Sequence, residues 1–254
     1  MLALGPVRDH HLTVMGTDLP ERADEERPPA ASRRAAVDAF LADLAARTGR
    51  RTDARRGRLV FALDATMSRQ PTWDRACAIQ SGMFDAAGAI GGLSVQLVFF
   101  RGHRECKASR WQDDAAGLAR LMSRVDCRGG HTQIGRVLAH ILKEAGRAPV
   151  DAAVLVGDAC EEPADQLCAL AGELGVRGIP LFLFHEGSDP VAARAFAEMA
   201  RLSGGACVPF DLRSADQLRD LLRAVAVYAV GGSAALLAHA EGSAAGRRLI
   251  AQMT

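Results

Sequence analysis

From residue 59 onward the chain settles into a regular alternation. Short, continuously apolar runs, "LVFALD", "LSVQLVFF", "AAVLVGD", "IPLFLFHE" and "ACVPFD", are separated by segments whose apolar residues recur at helical spacing. Those helical segments cover 73–89, 113–124, 132–145, 164–174, 190–202 and 215–228. Strands apolar on both faces must be covered on both faces. The pattern therefore predicts an α/β fold, a doubly wound and mainly parallel sheet between two helical layers. In "VFFRGHRECKASRW" two extended stretches flank "GHRE" with no helix between them, which predicts a hairpin and one antiparallel edge strand.

Upstream the pattern is different. Residues 1–31 include "GTDLPERADEERPPAA", too polar to offset the entropy of ordering, and read as a disordered tail. Ser32 then offers an N-cap, and Ala36, Val37, Phe40, Leu41 and Leu44 place one apolar stripe on a helix. With the basic connector "RTGRRTDARRGR" this makes 32–56 a docking helix and linker, 57–232 the main domain, and 233–254 a small helical tail.

Composition narrows the function classes. The 254 residues, 49% hydrophobic, supply the core of one large domain. A net charge of +1 sets up no field towards nucleic acid or anionic lipid, and the basic connector has no interleaved aromatics for base stacking. "MLALGPVRDHHLTVMG" lacks the basic and apolar regions of a signal peptide, and no apolar run reaches the ~20 residues of a membrane span. The six cysteines form neither a CxxC pair nor a zinc-ligand spacing. Cys127 and Cys160 flank two of the motifs below. A bridge between them is the redox reading, and buried inert thiols are the reading a reduced compartment favours. These features predict a cytoplasmic protein with no membrane or nucleic-acid partner.

In an open parallel sheet, ligands bind beyond the carboxyl ends of the strands, where strand order reverses. Three polar sets directly follow apolar runs or open helices: Asp64, Thr66 and Ser68; Asp158; and Thr132 in the glycine-rich "CRGGHTQIG". Any one of them alone reads as a helix cap. Converging on one edge, they are a set of hard oxygen donors without histidine or cysteine, suited to a Mg²⁺-like ion.

The Asp-x-Thr-x-Ser of residues 64–68, "GGHTQIG" and the strand-terminal Asp158 resemble the metal-ion-dependent adhesion site of a von Willebrand factor A (VWA) domain. "LSGGACVPFD", followed by a helix ending "VYAVGG", resembles bacterial, cytoplasmic members of that family. The resemblance runs from about residue 59 to 232. It implies that the hydroxyls of Thr66, Ser68 and Thr132 coordinate Mg²⁺ or Mn²⁺, while Asp64 and Asp158 act largely through water. It also implies a protein partner that supplies an Asp or Glu carboxylate, with ATPases or chaperone-like machines as the partner class. Neutral hydroxyl ligands leave the ion much of its charge and one open position, which favours binding over catalysis.

The sequence departs from the family pattern in three places. Thr66 replaces a common serine, Met67 replaces a common glycine and gives the loop an apolar tip, and "ACEE" follows Asp158 where glycine is frequent. Glu161 and Glu162 either repel an acidic ligand, attract a basic one, or cap the helix that follows them, and the cap is preferred. His131 reads as an exposed loop residue, His185 and Glu186 as rim residues without assigned chemistry, and Trp73 and Trp111 as packing.

The competing enzyme reading is a Mg²⁺-dependent phosphatase of haloacid dehalogenase type. That chemistry needs a general acid two residues after the nucleophile, where Thr66 stands, and the lysine available after Thr132, Lys143, lies within a helix. A nucleotide-binding or purely structural module is the third reading. "GAIGG" and "CRGGHTQIG" lack both the dinucleotide fingerprint after the first strand and the GK[ST] ending of a P-loop.

Overall fold

β1 (Gly57–Asp64) is buried almost throughout, and its alternate residues enter two separate cores. The structure, a computed structural model, describes residues 56–88, 90–210 and 215–253. The expected tail and docking helix, residues 1–55, lie outside the described residues. After β1 come a 3₁₀ turn (Met67–Arg69), α1 (Gln70–Ile79), α2 (Ser81–Gly88), β2 (Leu93–Arg101), β3 (Glu105–Ala108), α3 (Ala115–Met122) and α4 (Ile134–Ala145). The chain continues through β4 (Ala152–Gly157), α5 (Ala164–Val176), β5 (Leu181–Glu186), α6 (Pro190–Ser203), β6 (Ala206–Phe210), α7 (Ala215–Gly242) and α8 (Ala244–Ile250).

The sheet has the order β3-β2-β1-β4-β5-β6. All neighbours are parallel except β2 and β3, the expected hairpin with its antiparallel edge strand. Strand order reverses between β1 and β4, so the crevice at their carboxyl ends is where the fold places a ligand. Period-two alternation splits the sheet residues between its faces. Phe61, Leu63, Val154, Val156, Phe182 and Phe184 join Trp73, Met83, Leu118 and Leu221 on one side. Val60, Ala62, Ala153, Leu155, Leu181 and Leu183 join Ile141, Leu167 and Phe196 on the other. Trp73 and Trp111 pack, as expected. Trp73 is buried with its Nε1 donating to the Met122 carbonyl at 3.2 Å, and Trp111 lies under the Arg58 guanidinium, 4.0 Å from its centroid.

The segment 73–89, read as one helix, is divided between α1 and α2. At the other end, the helix expected to stop near the Gly231-Gly232 pair resumes beyond it. Gly232 takes φ 67° and ψ −161°, a conformation open to glycine, and α7 is helical on both sides of that kink. Beyond the kink the chain is helical to Gly242 and again over Ala244–Ile250, with Leu236, Ala245 and Leu249 buried in the same core as Phe61. Contrary to the sequence reading, one stretch, Asp216–Gly242, is long and apolar enough to cross a membrane. Half of its apolar window is buried inside the fold, and Leu218, Leu221, Leu222 and Val225 face the core.

Phe61 is fully buried at the centre of the sheet. Phe61→Ala is expected to lower the free energy of unfolding by about 3–5 kcal/mol, read as a lower urea midpoint with an unchanged slope.

Candidate functional site

The site begins where β1 ends. Ala65 N still donates to the Phe100 carbonyl at 2.9 Å, and the chain then turns through an extended Thr66 into the 3₁₀ turn that carries Met67, Ser68 and Arg69. Asp64 is 3% exposed. Its Oδ1 accepts from Thr66 N at 2.7 Å, and the Thr66 hydroxyl donates to the same carboxylate. This local closure sets the turn and fixes both side chains at the edge. Burial pushes the Asp64 pKa up to about 6, and the nearby Asp158 adds to the rise. The Thr66 hydrogen bonds and the Arg69 charge oppose it.

Thr132 arrives by a separate route. Arg128 N donates to the Ala65 carbonyl at 3.0 Å and His131 N to the Gly102 carbonyl at 3.2 Å, which stitches the glycine-rich loop to the end of β1 and to the β2–β3 turn. Gly130 is required there, because a Cβ would stand 2.2 Å from the Gly102 carbonyl oxygen. Gln133 Nε2 adds donations to the carbonyls of Arg101 and Gly102, each at 3.2 Å. Thr132 is thereby held nearly buried, two residues before α4.

Glu161 and Glu162 correct the sequence reading. They cap a helix, but it is α4, which precedes them in the chain, and not α5, which follows. Thr132 N donates to Glu161 Oε2 at 2.9 Å while Glu161 N donates to Thr132 Oγ1 at 3.0 Å. The Glu162 carboxylate accepts from Ile134 N and, at 2.9 Å, from Gly135 N. The N-terminus of α4 has unpaired N–H groups and no side-chain cap from Gln133, so the loop after β4 supplies the acceptors. The N-cap of α5 is Pro163, which has no side chain to accept. The hydrogen bond donated by the Thr132 amide, followed by the His131 contact at 3.2 Å, holds the Glu161 pKa below the usual carboxylate range.

Asp158 stands one residue beyond β4, about one-third exposed. Arg69 Nη1 lies 3.8 Å from its Oδ2 and also contacts Glu186 Oε2 at the end of β5. Thr72 Oγ1 donates to that same Glu186 oxygen at 2.5 Å. The structure thus places Asp64, Thr66, Thr132 and Asp158, with the backbone of Ser68, along one edge, has Glu186 at its rim, and adds Arg69. The sequence offered a signal for Arg69, an arginine directly after the Asp-x-Thr-x-Ser run.

The remaining rim residues separate by exposure. His131 is exposed, with its ring 5.3 Å from that of His103. His185, expected at the rim, is buried edge-on against Phe196 at 5.5 Å. Cys127 and Cys160 are free and belong to the cores on opposite faces of the sheet, so no bridge spans the site. Burial pushes the Cys127 thiol up to about 11. Among the described residues no three His, Cys, Asp or Glu side chains gather as a metal cluster. The oxygen set at this edge depends on its hydroxyls.

The six-stranded sheet, its single antiparallel edge strand and the crevice between β1 and β4 are the fold of a von Willebrand factor A domain. No family model matches the sequence, and no curated protein matches it. Among solved structures, a von Willebrand factor type A protein from Catenulispora acidiphila is similar with a TM-score of 0.56 at 16% identity, over 69% of this chain and 43% of that one. The SpRpn10 VWA domain is similar at 0.51 and 12%, over 65% of this chain and 95% of that one. Proximal thread matrix protein 1 from the mussel byssus, solved with a zinc-occupied MIDAS motif, is similar at 0.51 and 15%, over 67% and 48%. The chain spans less than half the length of the Catenulispora and mussel proteins.

Two outcomes follow from this geometry. Folded Asp64 keeps its proton up to about pH 6, whereas the unfolded chain releases it near 3.8, so its contribution to stability is greatest at low pH and declines as pH rises through 6. In metal-free buffer Asp64→Asn is expected to remove a loss of about 3 kcal/mol between roughly pH 4 and 7, measured by urea unfolding across that range. Glu162→Ala leaves the amides of Ile134 and Gly135 without their acceptor. It is expected to cost about 1–2 kcal/mol in the same assay.

Proposed function

We propose that the chain is a divalent-metal-dependent protein-binding module that recruits its partner through a metal-bridged carboxylate. The observation that carries this reading is the convergence of Asp64, Thr66, Thr132 and Asp158, with the backbone of Ser68 beside them, at the strand-order reversal, an oxygen-only set. That set fits a hard cation such as Mg²⁺ or Mn²⁺. The zinc-occupied motif of the mussel protein supports a divalent ion at this kind of edge.

On this reading Thr66, Ser68 and Thr132 hold the ion through their hydroxyls, and Asp64 and Asp158 balance charge around it. A bound ion supplies a Lewis-acid position that accepts one carboxylate oxygen. Asp64 and Thr66 hold each other in place through two hydrogen bonds, and Thr132 is fixed by Glu161, so these donors are ordered before any ligand arrives. Met67, exposed at the tip of the turn, offers apolar contact beside the polar centre. The partner is an acidic surface or segment of a cytoplasmic protein, with an ATPase or chaperone-like machine as its class.

Binding without catalysis is favoured over the phosphatase alternative by the position of Lys143. It lies in the last turn of α4, whereas Thr132 precedes the first. A helix of that length separates them by roughly 15 Å or more.

Calorimetric titration of Mg²⁺ and Mn²⁺ into metal-free protein is expected to give one site, lost in Asp64→Ala and in Thr132→Ala. Partner capture is expected to disappear with chelator. Equal binding in the variants, or capture indifferent to chelator, would overturn the reading.

A further inference from the structure

Arg69 is only 2% exposed and lies within the acidic edge. It is held there by a single nitrogen. Nη1 meets Glu186 and lies 3.8 Å from Asp158, while Nε and Nη2 are buried and have no hydrogen-bond partner. Those two atoms form the edge of a guanidinium that grips a carboxylate with two parallel bonds. In two ion pairs elsewhere in the fold that edge is filled. Arg101 closes it on Glu105 at 2.9 and 3.0 Å, and Arg201 on Glu198 at 2.9 and 2.6 Å. Arg69 leaves the fork open and directs Nη1 at Asp158 of the candidate metal site and at Glu186.

The charge at the edge gives this a consequence. Asp158 and Glu186 face one another through a permanent cation, since a guanidinium does not deprotonate in a protein. A divalent ion drawing on Asp158 meets a like charge across that carboxylate, in a setting poorer in water than bulk. Two events relieve the repulsion: the guanidinium withdraws, or a further negative charge arrives.

We propose that Arg69 is the resident counter-cation of the site, competing with a divalent ion for Asp158 and so holding down the metal affinity of the ligand-free protein. This rests on the metal reading above and adds a regulatory element to it. The carboxylate of an acidic partner supplies the missing negative charge, so metal and partner bind with mutual reinforcement. Arg69 acts through Asp158 and is a positioning residue, not a ligand.

The test uses Mn²⁺ alone as the probe, with free ion counted by electron paramagnetic resonance. Arg69→Met, which keeps bulk and removes charge, is expected to tighten Mn²⁺ binding at least about tenfold, and Arg69→Lys, which keeps charge, to stay within about threefold of the parent. A merely structural arginine would make both replacements weaken binding alike. If Arg69→Met does not unfold cooperatively, the double variant Arg69→Met with Glu186→Gln, which removes the charges as a pair, carries the same expectation. Parent-like or weaker binding in a folded Met variant overturns the role of Arg69 and leaves the metal reading standing. Absence of Mn²⁺ binding from folded parent and variants alike overturns both.

Discussion

A carboxylate removed from water at the end of β1 organises the whole carboxyl edge of this sheet. Asp64 is almost fully buried, and the fold stabilises it with local donors and a nearby cation without neutralising it completely. The Thr66 amide and hydroxyl close on it, Arg69 lies near it, and Asp158 opposes it from the adjacent strand end. Buried charge is costly unless paired, so an edge left in this condition has its strongest remaining attraction for a cation. The parallel pairing of β1 and β4 is what brings both acids to neighbouring strand ends.

The second support is the reciprocal pairing of two loops. Glu161 and Thr132 exchange backbone and side-chain bonds, and Glu162 takes the next two amides of α4. The acids after Asp158 are thus occupied in holding the Thr132 loop, which the Gly130–Gly102 approach brings to the end of β1. Their negative charge is directed at the positive end of α4. The two acids are thereby part of the frame that presents Thr132.

Strand identity, sheet order class and the antiparallel edge were legible in the sequence because runs such as "LVFALD" and "AAVLVGD" are apolar on both faces and must be central. The candidate donors were legible for a related reason: a polar residue that directly follows a buried strand has one place to go. Long-range pairing was not legible. Nothing local distinguishes Glu162 as a cap for α5 from Glu162 as a cap for α4, because the choice is made by which helix end the β4 loop crosses. Arg69 escaped notice similarly, since its partners Asp158 and Glu186 arrive from two other strands. The C-terminal boundary was blurred by the Gly231-Gly232 pair, which reads as a stop and is a kink.

The central claim is that this edge gathers its oxygen donors around a divalent ion. Anomalous diffraction from crystals soaked in saturating Mn²⁺ tests it most directly. The account predicts one strong peak between the Asp64–Ser68 turn and Thr132, with Arg69 withdrawn from Asp158. A map with no peak at that edge, and Arg69 still against Asp158, would contradict it.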